Sequence, residues 1–257
     1  MNAFLIFLTV TYWGSMGFDA RTISFMGGSS PVVSGAAAMF LNTGAIVSDN
    51  RFTAEFTYTN PFQLTDLAYG EAAAALSSNN FAVGLGFSSK FVKGIYSENT
   101  YMLGASVKGS LREGVSASAG VGLRYFRVSA KTTDMSHSSI FMLDFGSVLS
   151  AGMFRFSYVF QNLGYRGNDA DYRRSLGVAI TKSGLTAGFD YQWHRYFQTY
   201  SLFAEVVVLR VLALRVGYSN QNMGIGAGIV GNGYSVDIGM SGSDAGTTYS
   251  ITFGMYR

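Results

Sequence analysis

Residues 185–194 read Leu-Thr-Ala-Gly-Phe-Asp-Tyr-Gln-Trp-His. In an extended chain successive side chains point to opposite faces. Leu185, Ala187, Phe189, Tyr191 and Trp193 therefore share one face, and Thr186, Gly188, Asp190, Gln192 and His194 share the other. A strand of this length, apolar on one side and polar on the other, suits a wall between lipid and an aqueous lumen. The same pattern recurs in 152–162, where Phe154, Phe156, Tyr158 and Phe160 oppose Met153, Arg155, Ser157 and Gln161. Residues 223–230 and 247–256 repeat it. Working outward from these segments predicts strands at 51–59, 68–77, 80–90, 99–110, 115–129, 138–149 and 152–162. Further strands are predicted at 173–180, 185–194, 199–208, 212–218, 223–230, 234–240 and 247–256.

Composition narrows the reading. The chain has 257 residues, with 32 glycines, 16 tyrosines, 21 phenylalanines, 2 prolines and no cysteine. Charged residues are 13%, about half the usual share of a soluble domain. Mean hydropathy is +0.21, yet beyond the amino terminus no apolar run is long enough for a transmembrane helix. Disordered chains, disulfide scaffolds and coiled coils are excluded. A scattered net charge of +3 excludes a nucleic-acid partner. Alternation alone also fits a soluble sandwich, but linker lengths separate the two. Linkers 60–67, 91–98, 130–137, 163–172, 195–198, 219–222 and 241–246 are long, whereas Ser78-Asn79, Ser150-Ala151 and 231–233 are short. Outer-membrane barrels alternate in this way, with the longer loops outside the cell. Tyr58, Tyr125, Phe160, Tyr172, Tyr191, Trp193, Tyr200 and Tyr218 border the longer linkers, where an aromatic girdle belongs. The expected fold is all-β, an antiparallel transmembrane β-barrel of about fourteen strands in outer-membrane lipid. Both termini are expected in the periplasm, and 163–172 is the expected main surface loop.

The amino-terminal region breaks the pattern. Ala3–Val10 is a short apolar run, and Asp19-Ala20 before Arg21 suits a processing site, so residues 1–20 read as a signal peptide. An ordinary terminal strand or helix is the alternative. Residues 21–50 form a second unit and 51–257 the barrel. Ser30–Val47 does not alternate; Ala36–Leu41 favours a helix, which Asn42 and Gly44 would end. Such a segment either plugs the lumen or forms an irregular first strand.

Met26-Gly27-Gly28, a small-residue stretch, and Asn42-Thr43-Gly44-Ala45 before the first strand resemble the start of PorV/PorQ-type outer-membrane barrels. Thr43-Gly44-Ala45 stands where that family usually has Pro-Ala-Gly. These proteins belong to the FadL-like superfamily of fourteen-stranded barrels. The resemblance implies a non-enzymatic accessory in type IX protein secretion or surface attachment, with the translocon or cargo C-terminal domains as partners. The alternative it implies is a FadL-like transporter of fatty acids or other hydrophobic small molecules, carrying its ligand in the lumen. A purely structural barrel is a third option.

The faces assigned to the lumen carry Glu55, Glu71, Lys108, Arg124, Asp144, Arg155, Asp190, Glu205, Arg215 and Asp237, with His194 at the end of its strand. They either line a pore and hold a headgroup, or brace the wall as ion pairs. Both signs are present, which argues against an ion-selective channel. Lumen-facing glycines such as Gly84, Gly104, Gly120, Gly224 and Gly239 leave space, admit a plug or ease curvature. Catalysis has little to rest on: His137 and His194 are the only histidines, and His194 with Ser201 lacks any nucleophile signature. No metal or cofactor motif is present, so a non-enzyme without cofactor is expected.

Overall fold

A strand needs hydrogen-bond partners on both edges, and the computed structural model supplies them by closing the sheet on itself. It describes residues 19–130, 138–163, 172–194, 197–220, 222–243 and 246–257. The strands are β1 (Phe52–Asn60), β2 (Leu67–Ser77), β3 (Phe81–Val92), β4 (Tyr96–Arg112), β5 (Val115–Ala130), β6 (Ser138–Ala151) and β7 (Phe154–Leu163). They continue with β8 (Arg173–Lys182), β9 (Leu185–Trp193), β10 (Gln198–Val208), β11 (Leu212–Ser219), β12 (Asn222–Val230), β13 (Tyr234–Ser243) and β14 (Gly246–Tyr256). Each pairs antiparallel with its sequence neighbour, and β1 pairs with β14 to close the barrel. All fourteen predicted strands are present.

The two faces separate as the alternation requires. Phe56, Leu85, Leu103, Phe141, Leu214 and Phe253 are exposed on the outer face, while Thr57, Ser88, Thr100, Ser157, Gln192 and Thr252 are buried inside. An apolar belt running right round the molecule far exceeds what a soluble monomer exposes, and hydrocarbon is the medium that fits it. No helix of the described residues is long and apolar enough to cross a membrane; the strands cross it. Tyr58, Tyr125, Phe160, Tyr191, Trp193, Tyr200 and Tyr218 all lie on outward-facing positions toward the loop end.

One expectation is corrected. The linkers do not alternate strictly, because several strands run past their predicted ends. Only 93–95 separate β3 from β4, and only 244–245 separate β13 from β14. The added positions, such as Ser97, Glu98 and Ser241–Ser243, are polar, but cross-strand backbone hydrogen bonding carries the ladder through them. Linkers 61–66, 131–137 and 164–172 keep the loop end the longer one.

Inside the barrel lies the segment 19–47. Asp19 caps helix α1 (Ala20–Ser24), its carboxylate accepting from Thr22 N at 2.9 Å. After the Met26-Gly27-Gly28 turn, one 3-10 turn at Gly35–Ala37 leads into α2 (Ala38–Leu41). Asn42 ends α2 and its side chain accepts from Gly44 N at 3.1 Å, opening a 3-10 turn at Thr43–Ala45. The helical reading of Ala36–Leu41 therefore holds, and the irregular-strand alternative does not. Of the expected leader, residues 1–18 lie outside the described residues, as does most of the expected surface loop 163–172; Asp19-Ala20 begin α1.

Candidate functional site

The lumen segment makes two lobes joined by a polar hinge region. The first, residues 19–28, packs on β11–β14. Phe25 stacks on Phe203 with ring centroids 4.6 Å apart. Its backbone lies so close to the wall that a methyl group on Gly217 would sit 2.5 Å from Ser24 O. The second lobe, residues 35–47, packs on β1–β6. Met39, Phe40, Leu41 and Ile46 form one apolar cluster with Ala73, Ala75, Ala82, Met102 and Val148 of the wall. Here too glycine admits the plug: a methyl on Gly146 would lie 2.7 Å from Gly44 N, and one on Gly120 would lie 2.6 Å from the Thr43 carbonyl carbon. Wall glycines stand beside one another across strands, Gly84 opposite Gly104, Gly104 opposite Gly122, and Gly226 opposite Gly239. Of the readings open to these glycines, close approach of a plug is the one the contacts bear out.

Between the lobes, wall side chains hold the plug's backbone. Gln192 Nε2 donates to Gly27 O at 2.8 Å, and Ser201 Oγ donates to Met26 O at 2.7 Å. Ser30 N donates to Asp190 Oδ2 at 3.2 Å, and Ser30 Oγ lies 2.9 Å from Ser157 Oγ. Gln161 Nε2 donates to Phe40 O at 2.8 Å, and Asn42 Nδ2 ties the second lobe to the connecting segment through Ser30 O at 3.1 Å. These contacts explain the amino-terminal motif. Gly27 has φ +85°, and a side chain at Gly28 would meet Ser201 Cβ at 2.7 Å. Met26, Gly27, Gly28, Asn42 and Gly44 are thus the residues that seat the plug.

The predicted charges all point inward, and most are paired. Arg215 donates to Glu205 at 2.6 Å and to Asp237 at 2.5 Å, while Arg21 of α1 reaches Glu205 at 2.7 Å. This chain of four groups is the plug's ionic anchor. Arg124 holds Asp144 at 2.7 Å. Asp144 sits where the β6–β7 register shifts, and its other oxygen accepts from Asn162 N at 2.9 Å in place of a ladder partner. Glu71 accepts from Tyr69 at 2.5 Å. Lys108, near the opposite end, is 3.7 Å from Asp49. Glu55 faces a cavity of about 10 Å³, shared with Asp19 and Glu71, which has room for one water. Arg155 reaches Val33 O at 3.5 Å, a weak bond. Asp190 pairs with none of Arg124, Arg155 or Arg215; it accepts from Ser175 Oγ at 2.5 Å and from the plug. His194 is buried and stacked on Phe197 at 4.1 Å. Ser201 spends its hydroxyl proton on Met26 O rather than facing His194 as a nucleophile. His137 lies outside the described residues.

Sequence reasoning missed three elements of this lining. Lys90 and Glu98 form a buried pair at 3.5 Å, invisible because the predicted fourth strand began at Asn99. Arg173, fully buried, donates to Gln161 at 3.4 Å; its place in the inward alternation of β8 was the available signal. Arg21 belongs to a helix of five residues, too short to show a period.

No family model and no curated protein matches the chain. Solved structures do. The CymD monoaromatic hydrocarbon channel aligns with TM-score 0.65 at 11% identity, over 95% of this chain and 98% of its own. The Pseudomonas putida toluene transporter TodX aligns with TM-score 0.64 at 10% identity, over 95% and 99%. A Pseudomonas aeruginosa FadL homologue aligns with TM-score 0.61 at 11% identity, over 93% and 97%. The chain is a closed, antiparallel fourteen-stranded β-barrel with the fold of these three proteins.

Proposed function

We propose that the protein passes hydrophobic small molecules across the outer membrane, with the segment 19–47 as its gate. The observation that carries this is the apolar sector of the lumen. A water-filled porin lines its pore with polar groups, but here β2–β6 present Ala73, Ala75, Ala82, Met102 and Val148 to the apolar second lobe. Withdrawing that lobe would leave an apolar track along one side of the lumen, suited to a hydrocarbon. The structural neighbours named as hydrocarbon channels favour the same reading. The resemblance to secretion accessories rests on Met26–Gly28 and Asn42–Ala45, and plug seating already accounts for those residues. Both termini of the barrel face the periplasm in this reading, so the gate opens from the cell side.

The test is initial uptake of radiolabelled toluene, oleate and sucrose by intact cells with and without the protein. Hydrocarbon or fatty-acid uptake should rise severalfold while sucrose uptake stays level. Equal uptake of all three, with co-purification of a translocon barrel, would overturn this reading in favour of secretion.

A further inference from the structure

The outer face of the barrel has a charge asymmetry. Every Asp and Glu in the described strands points into the lumen: Glu55, Glu71, Glu98, Asp144, Asp190, Glu205 and Asp237. The strand cations Arg112, Arg127, Arg174 and Lys182 are instead exposed. Arg174 stands apart from the other three. Its guanidinium lies 4.7 Å from the Phe160 ring centroid and 5.4 Å from that of Tyr172, and Trp193 is its cross-strand partner. Phe160 and Tyr172, whose rings stack on each other 6.3 Å apart, hold the guanidinium at the girdle, the depth of lipid headgroups. No carboxylate among the described residues pairs with it.

Leu176 and Tyr158, the next outward residues on β8 and β7, lie about 7 Å further along the wall. They form one end of an outer groove of about 510 Å³ that continues over Ser147, Ala119 and Val107. The groove exists because Ala119 and Ser147 are small where neighbouring outward positions carry Val121, Phe145 and Leu149. Cation and groove are contiguous, and both are on the lipid face.

We propose that β7–β8 hold an anionic, phosphate-bearing lipid of the surrounding membrane, with its phosphate on Arg174 and one acyl chain in the groove. A planar guanidinium bonds two phosphate oxygens at once, and its excess positive charge selects lipids of net negative charge. The site is independent of what passes through the lumen.

Native mass spectrometry of the detergent-solubilised protein, titrated with phosphatidylglycerol or phosphatidylcholine, tests this. Wild type should retain phosphatidylglycerol preferentially. Arg174→Gln should lower that retention about tenfold, the loss of one charge-assisted contact, while Arg127→Gln leaves it unchanged. Ser147→Phe, which fills the groove, should lower retention of both lipids. Equal retention by wild type and Arg174→Gln, an equal loss in Arg127→Gln, or no effect of Ser147→Phe would each overturn the site.

Discussion

Replacing Gly146 by alanine adds one methyl group where plug and wall are closest. That methyl would lie 2.7 Å from Gly44 N and 2.9 Å from Thr43 N, and would also overlap Asn42 Oδ1. Two of these atoms are backbone, so no rotamer change relieves the contact and residues 42–44 must move off β6. The move breaks Asn42 Nδ2 to Ser147 O, 3.4 Å, and Thr43 Oγ1 to Gly120 O, 3.2 Å. At about 1 kcal/mol per hydrogen bond and about 1–3 kcal/mol for overpacking, docking weakens by about 3–5 kcal/mol. The wall loses nothing, because the added methyl points into the lumen and Gly146 itself is paired with Gly120 and Val159 through its backbone. Even a weakening of 2 kcal/mol would raise the open fraction about thirtyfold. Gly109→Ala is the control: nothing lies within 4 Å of its added methyl. The assay is current through planar bilayers together with hydrogen exchange of residues 42–47. Gly146→Ala should open bursts of conductance and lose protection in 42–47, with Gly109→Ala like wild type. A Gly146→Ala protein as closed and protected as wild type would refute the backbone contact.

Phe189, outward in mid-β9, and Asp190, fully buried beside it, test the facing of the strands. Phe189→Arg should cost about 2–4 kcal/mol in reversible unfolding from lipid, and Asp190→Asn about 1 kcal/mol; the reverse order would invert the faces. Arg124→Met leaves Asp144 buried without its cation and should cost about 3–5 kcal/mol by denaturant unfolding, with Asp144→Asn in the same chain recovering part. A loss under about 1 kcal/mol would mean the pair is not buried as described. Deleting residues 19–47 should leave membrane insertion intact and create a permanently conducting pore; failure to insert would make the segment part of the wall's folding.

The strands were legible because each residue in them must answer to one of two media, and a period of two survives in single segments such as 185–194. Their ends were less so. Ser97 and Glu98 extend β4 through backbone pairing that side-chain polarity does not report, and the Lys90–Glu98 pair was lost with them. Inward direction could be read for Glu205, Arg215 and Asp237, but not that they join Arg21 in one chain, since partners 10 to 184 positions apart depend on register and on where the plug lies. The plug itself gave only weak signals: a helix of five residues, another of four, and glycines whose alignment across strands appears only once the pairing is known.

The account turns on the plug moving out of the way. The chain has no cysteine, so Ser30→Cys with Ser157→Cys, whose hydroxyls lie 2.9 Å apart, places a single disulfide between plug and wall. Toluene uptake by cells carrying this variant should fall to the level of cells without the protein when the bond is oxidised. Reductant should restore it. Uptake that stays at the wild-type rate with the disulfide formed would contradict the account.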